Sequence, residues 1–418
     1  MVRPTLSILC VSFIAWLGAG CTCRSAVTAA VVDAGVVVCA APVSAPSTLK
    51  GVRPEPTTST PHVSPLAVCD SGGRLPLDAA RDSFDHQRFD EALSCAAQAS
   101  ALSPGDVLAH VERGNALAGL ERFEEAKLAY ARALAIDPDS LDGLLGAAHL
   151  YAVQLPSSRE VDELGSLYAE RGFDLSQTQH DEEFSLSFAR IAAMALNDVG
   201  QPRDALERAD WVLAHHAGDG EALYERAVAL FELCRFDEAR PAFEALLKDS
   251  GRAAFAHYHL GLVLERQGKQ VEADQHFEMA SRLDEAAFPK PVLLPMEEFK
   301  AALTRAVAAL PDDMRRDLDG VPVGLEEIPA LDDLVANEPP LSPTILGLFR
   351  GPSLGEACDG ADAKAGGPCR SIVLYRRNLA RAVKTRDELF EQIRVTLLHE
   401  VGHLRGEDDG ELAARGLE

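Results

Sequence analysis

The stretch Phe123-Glu124-Glu125-Ala126-Lys127-Leu128-Ala129-Tyr130-Ala131-Arg132-Ala133-Leu134-Ala135-Ile136-Asp137-Pro138 decides the architecture of the middle of the chain. Its Ala126 recurs at a fixed interval: Ala92 lies 34 positions earlier, and Ala205, Ala239 and Ala273 are spaced 34 apart further on. The window 107–140 also carries Gly114 and ends near Pro138, and the window 254–287 carries Gly261, Gly268, Phe277 and Ala280. Small residues recur where two helices cross closely, and aromatic residues fill the gaps between successive pairs. Windows 73–106 (Phe89, Ala92, Ala99, Pro104), 186–219 (Gly200, Ala205) and 220–253 (Phe236, Ala239, Phe243) follow the pattern less fully. Residues 141–185 break it and read as two helices, near 141–153 and 158–171, joined through Pro156. Taken as one lengthened repeat, they let helical pairs run from 73 to 287.

That interval is the tetratricopeptide (TPR) period, and the region resembles an α-helical TPR solenoid. The resemblance implies a protein partner on the concave face. At first-helix positions stand Asn115, Arg190, Asn197, Tyr224, Phe231 and Tyr258, a mix able to hold an extended peptide and equally able to pack neighbouring helices. The basic residue with which some relatives clamp a C-terminal carboxylate is missing, since Val111 stands in its place before Asn115.

Close to the C-terminus lies His399-Glu400-Val401-Gly402-His403. On a helix the two histidines face the same way and can grip one metal ion, with Glu400 beside them as a base for water. The preceding run, Leu389 to Leu398, has no Gly or Pro, and Leu389, Ile393 and Leu397 form an inward stripe. Asp387 falls in the first turn, and Gly406 stands where the helix should end and reverse. Catalytic zinc takes three protein ligands and leaves one position open. The chain ends at Glu418, too soon after His403 for a ligand on a distant second helix, and no Met follows Met314 to make a Met-turn. A short-range ligand remains. Asp409 fits best, ten positions after His399 where the extended motif places its third histidine, with Asp408 and Glu411 as weaker candidates.

Residues 295–418 resemble the small zincin-like, "minimal metalloprotease-like" family of bacterial zinc peptidases. The matching features are a helix opening at Met296-Glu297-Glu298-Phe299 and ending at Ala309-Leu310-Pro311, a strand within Val321–Glu327, the segment Ile345–Gly351, the strand Ser371–Tyr375, and the helix carrying His399, Glu400 and His403. The resemblance implies a small α+β zincin-like domain over 291–418, one zinc ion per chain held by His399, His403 and Asp409, and Glu400 as catalytic base. It also implies a peptide or protein substrate. Such enzymes add the substrate to the edge strand beside the active-site helix, and residues 371–375 are the candidate strand. Tyr375 or Arg370 could then reach a developing oxyanion. The simpler reading makes Ile372 and Leu374 core and Tyr375 a surface residue, and is preferred for Tyr375. Between Gly351 and Ser371 the chain departs from the family with a Gly/Ala/Asp-rich loop bracketed by Cys358 and Cys369. In an exported protein these two form a disulfide that closes the loop, which could shape substrate access.

The N-terminus reads as an export signal. Arg3 precedes an apolar run from Leu6 to Leu17 and then Gly18-Ala19-Gly20-Cys21. Small residues before a cysteine resemble a bacterial lipoprotein signal over 1–21, with Cys21 the lipidated residue, although Leu17 stands one place further from it than usual. This implies a lipid-anchored protein of the bacterial cell envelope, with a soluble periplasmic or secreted form as the runner-up. Residues 22–72, rich in Ala, Val, Pro, Ser and Thr, read as a disordered tether.

A formal net charge of −25 argues against nucleic acid as a partner. Of nine cysteines, Cys69 and Cys95 flank the first repeat helix and could pair, while Cys234 reads as buried. His215-His216 and His257-x-His259 read as surface residues. The combined expectation is an exported zinc peptidase whose repeats recruit substrate or partner. The alternative is a non-catalytic TPR scaffold with an inactive or metal-sensing terminal domain.

Overall fold

A computed structural model describes residues 69–70, 72–358 and 368–417. The expected signal, Cys21 and nearly all of the tether lie outside the described residues, as does most of the Cys358–Cys369 loop. The described chain falls into two compact units, one built from residues up to Ala195 together with Ala214–Ala217, the other from Leu196–Leu213 and Gly218 onward.

The first unit consists of antiparallel helical pairs. Pro76–Asp85 packs with Phe89–Leu102, and Val107–Gly119 with Phe123–Ile136. Asp106 caps the third of these through the Leu108 and Ala109 amides, satisfying donors that a helix N-terminus leaves open. The repeat is visible in backbone conformation as well as in sequence. Gln87 and Glu121, one repeat interval apart, both take positive φ (59°) in the turn within a pair; in the second unit Gly200, Cys234 and Gly268 do the same at the same interval. The period-marking alanines Ala92, Ala126, Ala205, Ala239 and Ala273 are all buried. A disulfide joins Cys69 to Cys95, tying the segment before the first helix to the second.

The irregular repeat is longer than the sequence suggests. Helix Leu141–His149 runs into a wider turn at Leu150–Gln154, and the next helix, Arg159–Gln179, continues well past the expected end at 171. Gly172, just past the expected end, does not stop the helix, because the ring of Phe188 packs directly against it; the stop comes at His180, whose left-handed backbone (φ 58°) ends it.

In the second unit the repeats Gly220–Glu232 with Phe236–Leu246, and Ala253–Arg266 with Gln270–Leu283, lead into the C-terminal domain. Two expectations fail here. His259 is not a surface residue: its ring lies 4.7 Å from that of Phe243 and 5.6 Å from that of Phe231, and burial pushes its pKa down to about 4. Cys234 is only half-buried, because its left-handed backbone sits in the turn between two helices.

The C-terminal domain begins with helices Met296–Ala309 and Asp312–Asp317 and builds a three-stranded sheet from β1 (Val323–Glu326), β2 (Gly347–Arg350) and β3 (Ser371–Tyr375). The strand order is β1-β3-β2, with β1 parallel and β2 antiparallel to β3. The strand expected at the edge, β3, is thus the central one; it pairs on both sides and offers no free backbone. One sheet face carries Phe349, Ile372 and Leu374, which pack with Phe299 and Leu303 against Leu389, Ile393, Leu397 and Val401 of the helix Arg386–Arg405. The other face carries Leu348, Val373 and Tyr375, joined by Ile345 and Leu334. Tyr375 is fully buried, not a surface residue, because alternation along a central strand covered on both faces leaves no exposed position.

The repeat packing makes one substitution decisive. A Cβ on Gly114 would lie 2.6 Å from the ring of Tyr130. Gly114→Val is expected to destabilise the first unit by about 1–3 kcal/mol through overpacking, read as a lower urea midpoint with unchanged slope.

Candidate metal centre

The helix Arg386–Arg405 is fixed at both ends. Thr385 accepts from the Glu388 amide while the Glu388 carboxylate accepts from the Thr385 amide, a reciprocal cap. At the other end Arg405 pairs with Asp313 and Asp317. Gly406 closes the helix in the left-handed region (φ 89°), and the chain doubles back so that the Glu407 amide bonds the Gly402 carbonyl at 3.0 Å. Asp408 then caps the short helix Asp409–Ala414.

This reversal brings His399, His403 and Asp409 together. All three are buried, and their ligand atoms lie within 4.8 Å of one another, the one such cluster of three among the described residues. The Nε2 atoms of the histidines are 2.7 Å apart, and Oδ1 of Asp409 is 3.5 Å from the first and 3.3 Å from the second. The remaining ring nitrogens are committed: Nδ1 of His399 is 2.6 Å from the Leu417 carbonyl and Nδ1 of His403 is 2.9 Å from that of Glu407. A carbonyl can only accept, so each Nδ1 carries a proton and each Nε2 turns a lone pair inward. Two lone pairs and a carboxylate converge on one point, which is repulsive unless a positive charge sits among them. Without a cation that role falls to a proton: burial lowers the pKa of His403, but the Asp409 hydrogen bond and the Glu400 charge raise it more. The donor types suit zinc; tetrahedral bonds of about 2.0–2.1 Å place ligand atoms about 3.3 Å apart, which the Asp409 distances match, while the two Nε2 atoms at 2.7 Å would have to separate.

Asp408 and Glu411, the weaker candidates, are spent on each other: the Asp408 carboxylate accepts from the Glu411 amide at 2.8 Å and the Glu411 carboxylate from the Asp408 amide at 3.1 Å. Glu400 is fully buried beside the histidines, and neither of its carboxylate oxygens has a hydrogen bond of normal geometry. Burial pushes its pKa up; the two histidines and the Phe349 amide offset only part of this. A buried carboxylate without a full set of donors costs several kcal/mol elsewhere in a protein, which makes this one a candidate functional group.

Gly347, at the start of β2, lies directly over Glu400. A Cβ there would be 2.7 Å from Oε1 of Glu400 and 2.8 Å from the Thr396 methyl. β2 is therefore the edge strand that flanks the site, in place of the expected β3. Sequence reasoning missed Gly347, and an isolated glycine ahead of a strand was the available signal. It also missed the Leu417 and Glu407 carbonyls, which as backbone atoms leave no mark on residue identity. Arg370 does not face the site: its guanidinium donates to the Pro352, Ser353 and Glu356 carbonyls and so holds the segment after β2. That segment reaches the site helix where the Leu354 amide bonds the Leu404 carbonyl at 2.7 Å. Cys358 and Cys369, with Cα atoms 5.9 Å apart, are joined by a disulfide beside it.

The residues expected on the concave face are largely engaged within their own units. In the first unit Asn115 accepts from the Tyr130 hydroxyl at 2.7 Å and donates to Glu112, and Arg190 is half-buried. In the second, Asn197 donates to Glu225, Phe231 is buried, and Tyr224 and Tyr258 stack edge-on against Phe255 and Phe277.

The cluster geometry separates the candidate ligands. His403→Ala and Asp409→Ala are expected to lose bound zinc from the purified protein, whereas Asp408→Ala should keep it and lose only about 1 kcal/mol of cap stability. Metal content by emission spectroscopy, with thermal melting alongside, checks all three.

Comparison with known proteins agrees with both parts of the chain. Residues 318–417 match the zincin-like metallopeptidase family, and residues 77–140, 192–239 and 231–287 match the tetratricopeptide repeat. No curated protein matches the chain. Similar solved structures include YrrB, described as a TPR protein with an unusual peptide-binding site, at 19% identity over 47% of this chain and 95% of that one (TM-score 0.38). Another is pilF of Pseudomonas aeruginosa, at 15% identity over 54% of this chain and 95% of that one (TM-score 0.42). A tetratricopeptide repeat protein from Parabacteroides merdae matches at 16% identity over 54% and 80% (TM-score 0.36). The chain thus contains two recognisable parts, tetratricopeptide repeats within residues 77–287 and a zincin-like metallopeptidase domain over residues 318–417.

Proposed function

We propose that the protein is a zinc-dependent peptidase whose repeats engage a protein substrate or partner. The observation that carries this reading is the buried trio His399, His403 and Asp409, with their lone pairs directed at one point, beside the unpaired carboxylate of Glu400. Bound there, zinc supplies a Lewis acid that polarises a scissile carbonyl and brings the pKa of a coordinated water down towards ~7. His399, His403 and Asp409 hold the ion. Glu400 takes the proton from the attacking water and hands it to the leaving amine. Burial raises its pKa above the usual carboxylate range, which favours taking up that proton. As an edge strand, β2 presents unpaired backbone groups along which an extended peptide can pair, with Gly347 leaving room for the Glu400 carboxylate against the strand.

Export to an oxidising compartment fits this reading. The disulfides Cys69–Cys95 and Cys358–Cys369 support it, because such bonds persist outside the reducing cytosol. In the same reading Cys21 carries a lipid that anchors the protein to the bacterial cell envelope. Labelling with a tagged fatty acid is expected to be lost in Cys21→Ser, and unchanged labelling would rule out that anchor.

Glu400→Gln separates the peptidase from a scaffold. The variant should bind zinc as the parent does and cleave a quenched-fluorescent peptide mixture about 10²–10⁴-fold more slowly. A parent that holds zinc yet cleaves nothing would favour the metal-sensing scaffold instead.

A further inference from the structure

The connection between the short helix Leu331–Leu334 and β2 is held by side chains of the last repeats, all within the second unit. Arg266, at the end of helix Ala253–Arg266, donates to the Pro343 carbonyl at 2.7 Å and to the Pro329 carbonyl at 3.0 Å. Glu232, at the end of helix Gly220–Glu232, is buried and bonds the Ser342 side chain. Arg266 stands one repeat interval after Glu232, so the same position in successive repeats reaches two adjacent residues of one connection. Next to Arg266, buried Glu265 pairs with Arg377 at 2.7 Å and Arg381 at 2.5 Å, on the helix that follows β3. That helix returns Asn378, whose amide donates to the Pro343 carbonyl at 3.2 Å and the Ile345 carbonyl at 2.7 Å. Just beyond Ile345, Gly347 lies against Glu400.

We propose that Arg266 is a positioning residue for the zincin-like domain: by holding the Pro343 and Pro329 carbonyls it sets the height of β2 over Glu400, so that the last repeats form part of the site's scaffold. A connection rich in proline has few amides with which to anchor itself, and its carbonyls need donors. The planar guanidinium, with donors directed at two carbonyls, fixes the segment in two places at once. His399, His403 and Asp409 lie on other elements, and none of them touches this network. The strand can therefore shift while the metal cluster stays intact. The inference rests on the peptidase reading for its consequence in catalysis, though not for its structural content.

The test uses the zinc-loaded full-length protein with Arg266→Ala, Arg266→Lys and, as a control on the same repeat layer, Arg240→Ala, whose side chain bonds Glu244 and Gln267. Amide hydrogen exchange over Ile345–Arg350 is expected to speed up about tenfold in Arg266→Ala. Arg266→Lys, which reaches one carbonyl at a time, should fall between parent and Ala, and Arg240→Ala should match the parent. Zinc content should be equal in all four proteins. Cleavage of the peptide mixture should slow in the same order. Unchanged exchange over Ile345–Arg350 in Arg266→Ala overturns the inference, as does acceleration spread equally over the repeats, or loss of zinc. If the parent itself cleaves nothing, the peptidase reading fails, while the exchange ranking still decides the positioning role.

Discussion

Two imidazole lone pairs and a carboxylate oxygen, all buried and all aimed at one point, are the constraint on which the rest of the C-terminal domain depends. Nothing about an H-E-x-x-H helix alone forces that arrangement, because a neutral histidine can turn either nitrogen inward. The choice is made by two carbonyls, those of Leu417 and Glu407, which hold the Nδ1 protons. Both belong to the chain after the helix. The left-handed stop at Gly406 and the reversal it permits therefore set the orientation of both rings. The segment after the helix orients one ring through Leu417, orients the other through Glu407, and brings the Asp409 carboxylate up to both.

Glu400 is the counterpart of that constraint. The surrounding structure leaves it buried without a hydrogen bond of normal geometry, an arrangement that costs stability and that ordinary packing would remove by one nearby donor. The Phe349 amide relieves this only in part, and β2 passes over the site at Gly347, where any side chain would collide with the carboxylate. A glycine here lets the strand lie directly against the Glu400 side chain. The same strand is the antiparallel edge of the sheet, so the approach to Glu400 and the free backbone coincide.

The repeat architecture was legible in the sequence because its signal is redundant: five alanines at one interval each report the same close crossing, and all are buried. The clustering of His399, His403 and Asp409 was legible for another reason, since an H-E-x-x-H helix followed by a glycine stop and an acid constrains what lies side by side. Strand order was not legible. Ile372, Leu374 and Tyr375 read the same whether β3 is central or at the edge; only the pairing partners differ, and the parallel partner β1 lies far upstream, in register Val323 with Ile372. The overlong helix Arg159–Gln179 and the aromatic burial of His259 escaped for a related cause, as both are fixed by what packs around them rather than by their own residue types.

A period in the sequence also hides differences between copies. Glu232 and Arg266 stand at one repeat position; Arg266 also lies over the Phe236 ring, 5.2 Å from its centroid, but both reach out from their helix ends to bind the connection into β2. A helix end is where a repeat can diverge without disturbing its core, because the small residues at the crossings lie further along each helix. Two successive copies have diverged there with opposite charge and adjacent targets, Ser342 and Pro343. The burial of Glu232 and of Glu265 follows from this, since an acid can stay inside only where guanidinium groups and hydroxyls meet it. The boundary between compact units accordingly falls within the repeats and not at their end, with the last pairs belonging to the body that holds the metal centre.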